Sequence, residues 1–163
     1  MKRLSIVVTM ILLFSAMVTF AQETTVTHYD RYWSELIKTD IEQIKKFTDL
    51  SALTSEQRIK ISDMCYTDVF LHSDDTANIA MAVRWLSIIV DNRYPFDPDA
   101  LDTYACLLYK AGKKEDALAV ERKYLKWCSD NKARGTYIRT QHVALTIEKM
   151  TNGEKIWLEK EFQ

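Results

Sequence analysis

This chain has few residues with which to turn. Only Gly112, Gly135 and Gly153 occur, and both prolines, Pro95 and Pro98, sit in one linker. Proteins built of strands and turns need more punctuation than that. Past the N-terminal segment no convincing alternating apolar run is present. Apolar residues recur instead at steps of three and four, the mark of helices with one buried face. The expected fold class is therefore all-α.

Local signals place the helices. Tyr29, Trp33, Leu36, Ile37, Ile41, Ile44 and Phe47 form one stripe, which predicts a helix over about 30–48. Thr54-Ser55-Glu56-Gln57 has the spacing of a capping box. The helix it opens carries Ile61, Met64, Cys65, Val69 and Phe70 and ends near Leu71. Ser73-Asp74-Asp75 supplies the next cap, for a helix over about 76–91 with Ile79, Ala82, Val83, Leu86, Ile89 and Val90 apolar and Trp85 beside them. Asp97-Pro98 pairs a capping carboxylate with proline at the first helical position. Leu101, Tyr104, Ala105 and Leu108 form the stripe of that helix, and Gly112 ends it. The partner helix runs from Lys114 to about Ser129, with Ala117, Leu118, Val120, Tyr124, Leu125 and Trp127 as candidates for burial. A further helix, roughly Thr136 to Met150, offers Val143, Ala144, Ile147 and Met150 and stops at Gly153. The tail from Glu154 can add a short helix through Ile156, Trp157 and Phe162.

The first 21 residues read as a secretory signal peptide. Lys2 and Arg3 precede an uncharged stretch from Leu4 to Phe20, and Thr19-Phe20-Ala21 offers small residues where a signal peptidase cuts. The apolar run falls slightly short of the ~20 residues that span a bilayer. Cleavage after Ala21 would leave one domain, 22–163, exported to the periplasm or secreted, with no membrane attachment. An intact mass starting at Gln22 is the check; retained Met1 in a membrane fraction would mean an anchor instead. Without Lys2 and Arg3 the chain carries 20 basic and 23 acidic residues. That balance argues against nucleic acid, which needs a clustered basic face.

Leu101-Asp-Thr-Tyr-Ala-Cys-Leu-Leu-Tyr-Lys-Ala-Gly-Lys-Lys-Glu-Asp-Ala-Leu resembles a tetratricopeptide repeat. Ala105 and Ala117 match the small residues that let paired helices pack closely, and Gly112 matches the glycine of the turn. The step from Ala82-Val83 to Ala117-Leu118, about 35 residues, is close to the ~34-residue repeat period. The match is best over about 98–129 and weakens afterwards, where Glu121 stands for a usual aromatic and Tyr124 for a usual small residue. The segment is also similar to helical tails beside thioredoxin-like domains in exported bacterial proteins. The resemblance implies stacked antiparallel hairpins, a tetratricopeptide-like α-solenoid of about six to seven helices, with end helices capping the stack.

No catalytic triad, phosphate loop or metal motif is visible. His28, His72 and His142 are scattered. Cys65, Cys106 and Cys128 are an odd count without a C-x-x-C. Cys106 and Cys128 lie at depths in a hairpin that differ by roughly 15 Å. Only Cys65–Cys106 is then a conceivable bridge. Asp99 and Asp102 read as dipole partners in a first helical turn rather than as an acid/base pair. No cofactor, metal ligand or catalytic residue is assigned, and the chain is expected not to be an enzyme. The reading is an interaction protein that holds a peptide or protein segment in a helical groove. The resembling repeats turn a polar stripe of the first helix to the concave side, here Asp99, Asp102, Cys106, Tyr109 and Lys110. The alternative is an exported enzyme whose site is assembled by the fold. Convergence of any two of His28, His72, His142, Asp74, Asp75, Asp99 and Asp102 in a deep pocket would favour it.

Overall fold

The computed structural model describes residues 35–44, 46, 52–91, 96–131 and 136–157, and these are helical with short connections. The expected signal peptide, His28, Trp33 and Phe162 lie outside the described residues. No described helix is long and apolar enough to cross a membrane. The first helix, α1, covers 35–44 and buries Ile37, Ile41 and Ile44. Helix α2 (Ser55–Met64) opens with the expected capping box: Gln57 N–H donates to Thr54 Oγ1 at 3.2 Å, and Thr54 N–H donates to Gln57 Oε1 at 2.8 Å. One first-turn amide and the amide of the cap residue are thereby satisfied by side chains.

The chain then continues as a π-helical turn, Cys65–Phe70, which helical spacing alone did not anticipate. Leu71 N–H bonds Tyr66 O at 3.1 Å, five residues back. The widened turn buries Cys65, Asp68, Val69 and Phe70, and it stacks Tyr66 on Phe70 with ring centroids 5.7 Å apart. Helix α3 (Thr76–Ile89) starts where Asp75 Oδ1 accepts from Ala77 N–H at 2.7 Å.

Helix α4 (Pro98–Lys110) is capped by Asp97, which accepts from Asp99 N–H and Ala100 N–H, both at 3.1 Å. It is the central helix, packed against α5, α3, the π turn and α2. The sequence suggested one buried stripe, Leu101, Tyr104, Ala105 and Leu108. The structure leaves Tyr104 half-buried and also buries Ala100, Thr103, Cys106 and Leu107. A helix with neighbours on several sides keeps no broad polar face, whatever its own pattern suggests.

At Gly112 the backbone turns left-handed, φ +78°, where an L side chain is strained. Lys113 N–H then reaches Leu108 O, and Gly112 N–H reaches Tyr109 O, both at 2.9 Å, closing a Schellman turn. Helix α5 (Lys114–Asp130) returns antiparallel and buries Ala117, Leu118, Glu121, Tyr124 and Cys128. Ala105 and Ala117 are fully buried, as a close α4–α5 approach requires. Helix α6 (Thr136–Asn152) packs on α5 and ends at Gly153, φ +77°. Val143, Thr146 and Met150 are buried, whereas Ala144 faces solvent. Residues 154–157 are not helical, and the rest of the expected tail helix, 158–163, lies outside the described residues. Trp157 instead packs edge-on to Phe70 and Tyr109, at 6.5 and 6.3 Å between centroids.

The main core joins α1, α2, the π turn, α3, α4 and α5 through Ile44, Ile61, Leu86, Ile89 and Leu107. A smaller cluster, Leu101, Tyr124, Cys128 and Val143, ties α4 and α5 to α6. All three cysteines are buried and free. Cys65 Sγ lies 4.0 Å from Ala82 O, and Cys65 and Cys106 are not bridged in this structure.

Candidate functional site

An i, i+4 step on α4 puts Asp102 and Cys106 on one face, one turn apart. From α5, Glu121 meets them. The donor atoms of Asp102, Cys106 and Glu121 all lie within 4.8 Å of one another. Glu121 is 0% exposed, on the same stripe as Ala117, Leu118, Tyr124 and Cys128. Neither Glu121 carboxyl oxygen nor Asp102 Oδ1 has a hydrogen-bond partner among the described residues when both carry charge. Ionised carboxylates only accept, so the pair can bond internally only if one keeps a proton.

Both carboxyls are raised, Glu121 the more strongly. Burial first, and then the neighbouring Asp102 charge, push its carboxyl from the ordinary 4.5 up to about 9. Burial also raises Asp102, while its bond with Glu121 and the charges of His142 and Arg139 pull the other way. The Cys106 thiol is driven well above its usual range by burial and then by Asp102 and Glu121. At neutral pH this thiol is protonated and a poor nucleophile.

Asp102 and Cys106 open onto a cavity of about 440 Å³. Tyr66 and Phe70 of the π turn form one wall, and His142, Leu145, Thr146 and Lys149 of α6 form another. Lys155, Ile156 and Trp157 close it from the tail. Its aromatic walls and basic rim therefore surround an acidic floor. Lys155 Nζ lies 5.8 Å from the Trp157 ring centre, within cation–π range.

The five residues expected to bind a peptide are placed differently from one another. Asp102 and Cys106 face the cavity. Asp99 is exposed and accepts from Arg139 Nη1 at 2.8 Å, tying α4 to α6. Tyr109 is half-buried, and its hydroxyl donates to Glu154 O at 3.0 Å. Lys110 was expected on an open polar stripe; its side chain is only 3% exposed. Its ammonium donates to Phe70 O at 2.7 Å and Val69 O at 3.5 Å and pairs with Asp74 at 3.6 Å. Lys110 is thus spent inside the molecule, because the π turn leaves carbonyls that need a donor. The cavity wall supplied by α6 and the tail was not anticipated from the sequence.

Comparison with protein-family models, with curated proteins and with solved structures finds no match for this chain.

Proposed function

We propose that this is an exported, non-enzymatic interaction protein of tetratricopeptide-like hairpins that holds a short segment of a partner protein. Export rests on Lys2, Arg3 and the uncharged stretch up to Ala21. The hairpin reading is supported by the fully buried Ala105 and Ala117 and the left-handed Gly112 between α4 and α5. The observation that carries the binding reading is the cavity of about 440 Å³, walled by Tyr66, Phe70 and Trp157 and rimmed by Lys149 and Lys155. Pockets of this size with apolar walls and a few convergent polar groups are the usual form of ligand sites. The aromatic rings on its walls suit an apolar side chain, and the lysines on its rim suit a neighbouring carboxylate.

Leu145 tests this cleanly. It lines the cavity yet is 49% exposed, so it contributes little to the core. A displayed peptide library should enrich segments with an apolar residue beside an acid. Leu145→Asp together with Lys149→Glu should weaken a selected peptide at least ~10-fold, as losing an anchor and a charge contact does. Far-UV circular dichroism should stay unchanged. Undiminished binding by the double variant would remove the cavity as the binding site.

A second reading has one observation behind it. Asp102 and His142 line the same cavity, with Glu121 against Asp102. A protonated carboxyl beside an ionised one is an arrangement that acid/base enzymes use. Turnover of an ester or glycoside panel that disappears in both Asp102→Asn and His142→Gln would favour an enzyme over a binder.

A further inference from the structure

We propose that Asp102, Cys106 and Glu121 form a divalent-metal site of the zinc class, one thiolate and two carboxylates, with a further coordination position open to the cavity. The site lies beneath the proposed peptide-binding walls and does not depend on that reading. The argument starts from donor chemistry. A sulfur and two carboxyl oxygens from adjacent helices lie within 4.8 Å of one another. Three protein ligands plus an open position is the pattern of accessible zinc sites, and the thiolate disfavours magnesium and calcium. Ligand bonds of roughly 2.0–2.3 Å would draw the three atoms somewhat closer, within the reach of side-chain rotation.

The second observation is independent of this grouping. Glu121 is fully buried, and with both carboxyls ionised neither of its oxygens has a partner among the described residues, nor has Asp102 Oδ1, so the pair needs either a shared proton or a cation. Orphaned buried carboxyl oxygens are rare in folded proteins, because desolvation is costly without a donor or cation. A divalent cation supplies the missing partner for both carboxylates at once. The stripe on which Glu121 sits is otherwise apolar or thiol, so an apolar residue would have served packing better. Asp102 and Cys106 line the cavity, which provides the entry path. Binding displaces the Cys106 thiol proton, and any carboxyl proton, to solvent along the same route.

The experiment uses the full chain, reduced, freed of metal with a chelator and then desalted. Co²⁺ is the probe, because a cobalt–thiolate bond gives a charge-transfer absorption that carboxylates alone do not. One equivalent should produce this band, and Zn²⁺ should displace it. Cys106→Ser should abolish the band, whereas Cys65→Ala and Cys128→Ala should keep it. Glu121→Gln should weaken Co²⁺ binding at least ~10-fold, the scale of loss seen even for outer-shell changes. If Glu121→Gln fails to fold by circular dichroism, Asp102→Asn must show the same weakening. A folded wild-type chain without the band would overturn the site. So would a band that survives Cys106→Ser, or an affinity that neither carboxyl substitution changes.

Discussion

Lys110→Glu is expected to cost about 4 kcal/mol, the scale of breaking a buried charge contact, and to leave the protein marginally folded. The Lys110 side chain is 3% exposed, and its strongest contact is the 2.7 Å bond to Phe70 O. Asp74 is 63% exposed, so that ion pair is screened and contributes little. The ammonium also lies over the Phe70 and Trp157 rings, at 5.9 and 5.4 Å. A carboxylate in its place would face two carbonyl oxygens and two ring faces, all electronegative. Lys110→Met keeps the aliphatic stem and loses only the charge. It should cost less, about 2 kcal/mol, the scale of a lost charge-assisted hydrogen bond. Urea unfolding with unchanged slope gives both values. A midpoint for Lys110→Glu equal to wild type would mean that the ammonium sits in solvent.

Glu121→Leu should stabilise the chelator-treated protein at pH 8 by about 2 kcal/mol, as replacing buried charge with a well-packed apolar residue can. It should also flatten the pH dependence. Glu121 holds its proton more tightly folded than unfolded, about 9 against 4.5. The folded state therefore binds the extra proton, and wild-type stability falls as pH climbs through that window. A fall of order 3 kcal/mol is expected after allowing for the coupling to Asp102. Asp102 shifts in the same direction. The groups around the pair are Asp99 and Cys106 on α4, Tyr124 on α5, Tyr66 on the π turn, and Arg139 and His142 on α6. Asp68, raised to about 6 chiefly by burial and then by Asp40, contributes the same sign of slope, but only below its own value. The buried thiols Cys65, Cys106 and Cys128 are raised too and add the same sign of slope as pH nears 9, so the part due to Glu121 is the difference in slope between wild type and Glu121→Leu over pH 6.5 to 8. Urea midpoints across that range, wild type against Glu121→Leu, are the measurement. Parallel slopes would acquit Glu121.

Helix starts and stops were legible in the sequence because their causes are local. Thr54 with Gln57, Asp75, Asp97 before Pro98, Gly112 and Gly153 all do what their residue types suggest. Asp102 and Cys106 were also legible as neighbours, since four residues on a helix fix that. Lys110 was not: on the polar stripe of α4 it reads as an exposed cation open to a partner, and its acceptor lies 40 residues away. The surroundings of α4 were equally hidden, because Thr103 and Leu107 are buried by helices whose placement no local pattern specifies. Glu121 did leave a signal. It falls at a three-residue step from Leu118 and Tyr124, an acid on an apolar stripe, and it stood out only as a departure from the repeat. The π turn left no comparable trace, since its buried residues still fit a broad helical stripe.

The cavity wall formed by residues 154–157 has a consequence for timing. Tyr109 reaches 45 residues forward to Glu154, and Trp157 closes over Phe70, from much earlier in the chain. Synthesis runs from the N-terminus, and earlier segments begin to fold before later ones exist. The π turn, α3, α4 and α5 can therefore assemble while the cavity still lacks its α6 and tail walls. Until residues 154–157 arrive, Phe70 stands uncovered on that side. A nascent chain is then apolar and open where the finished one is covered, and the interval between the two lasts as long as it takes to make and dock α6 and residues 154–157.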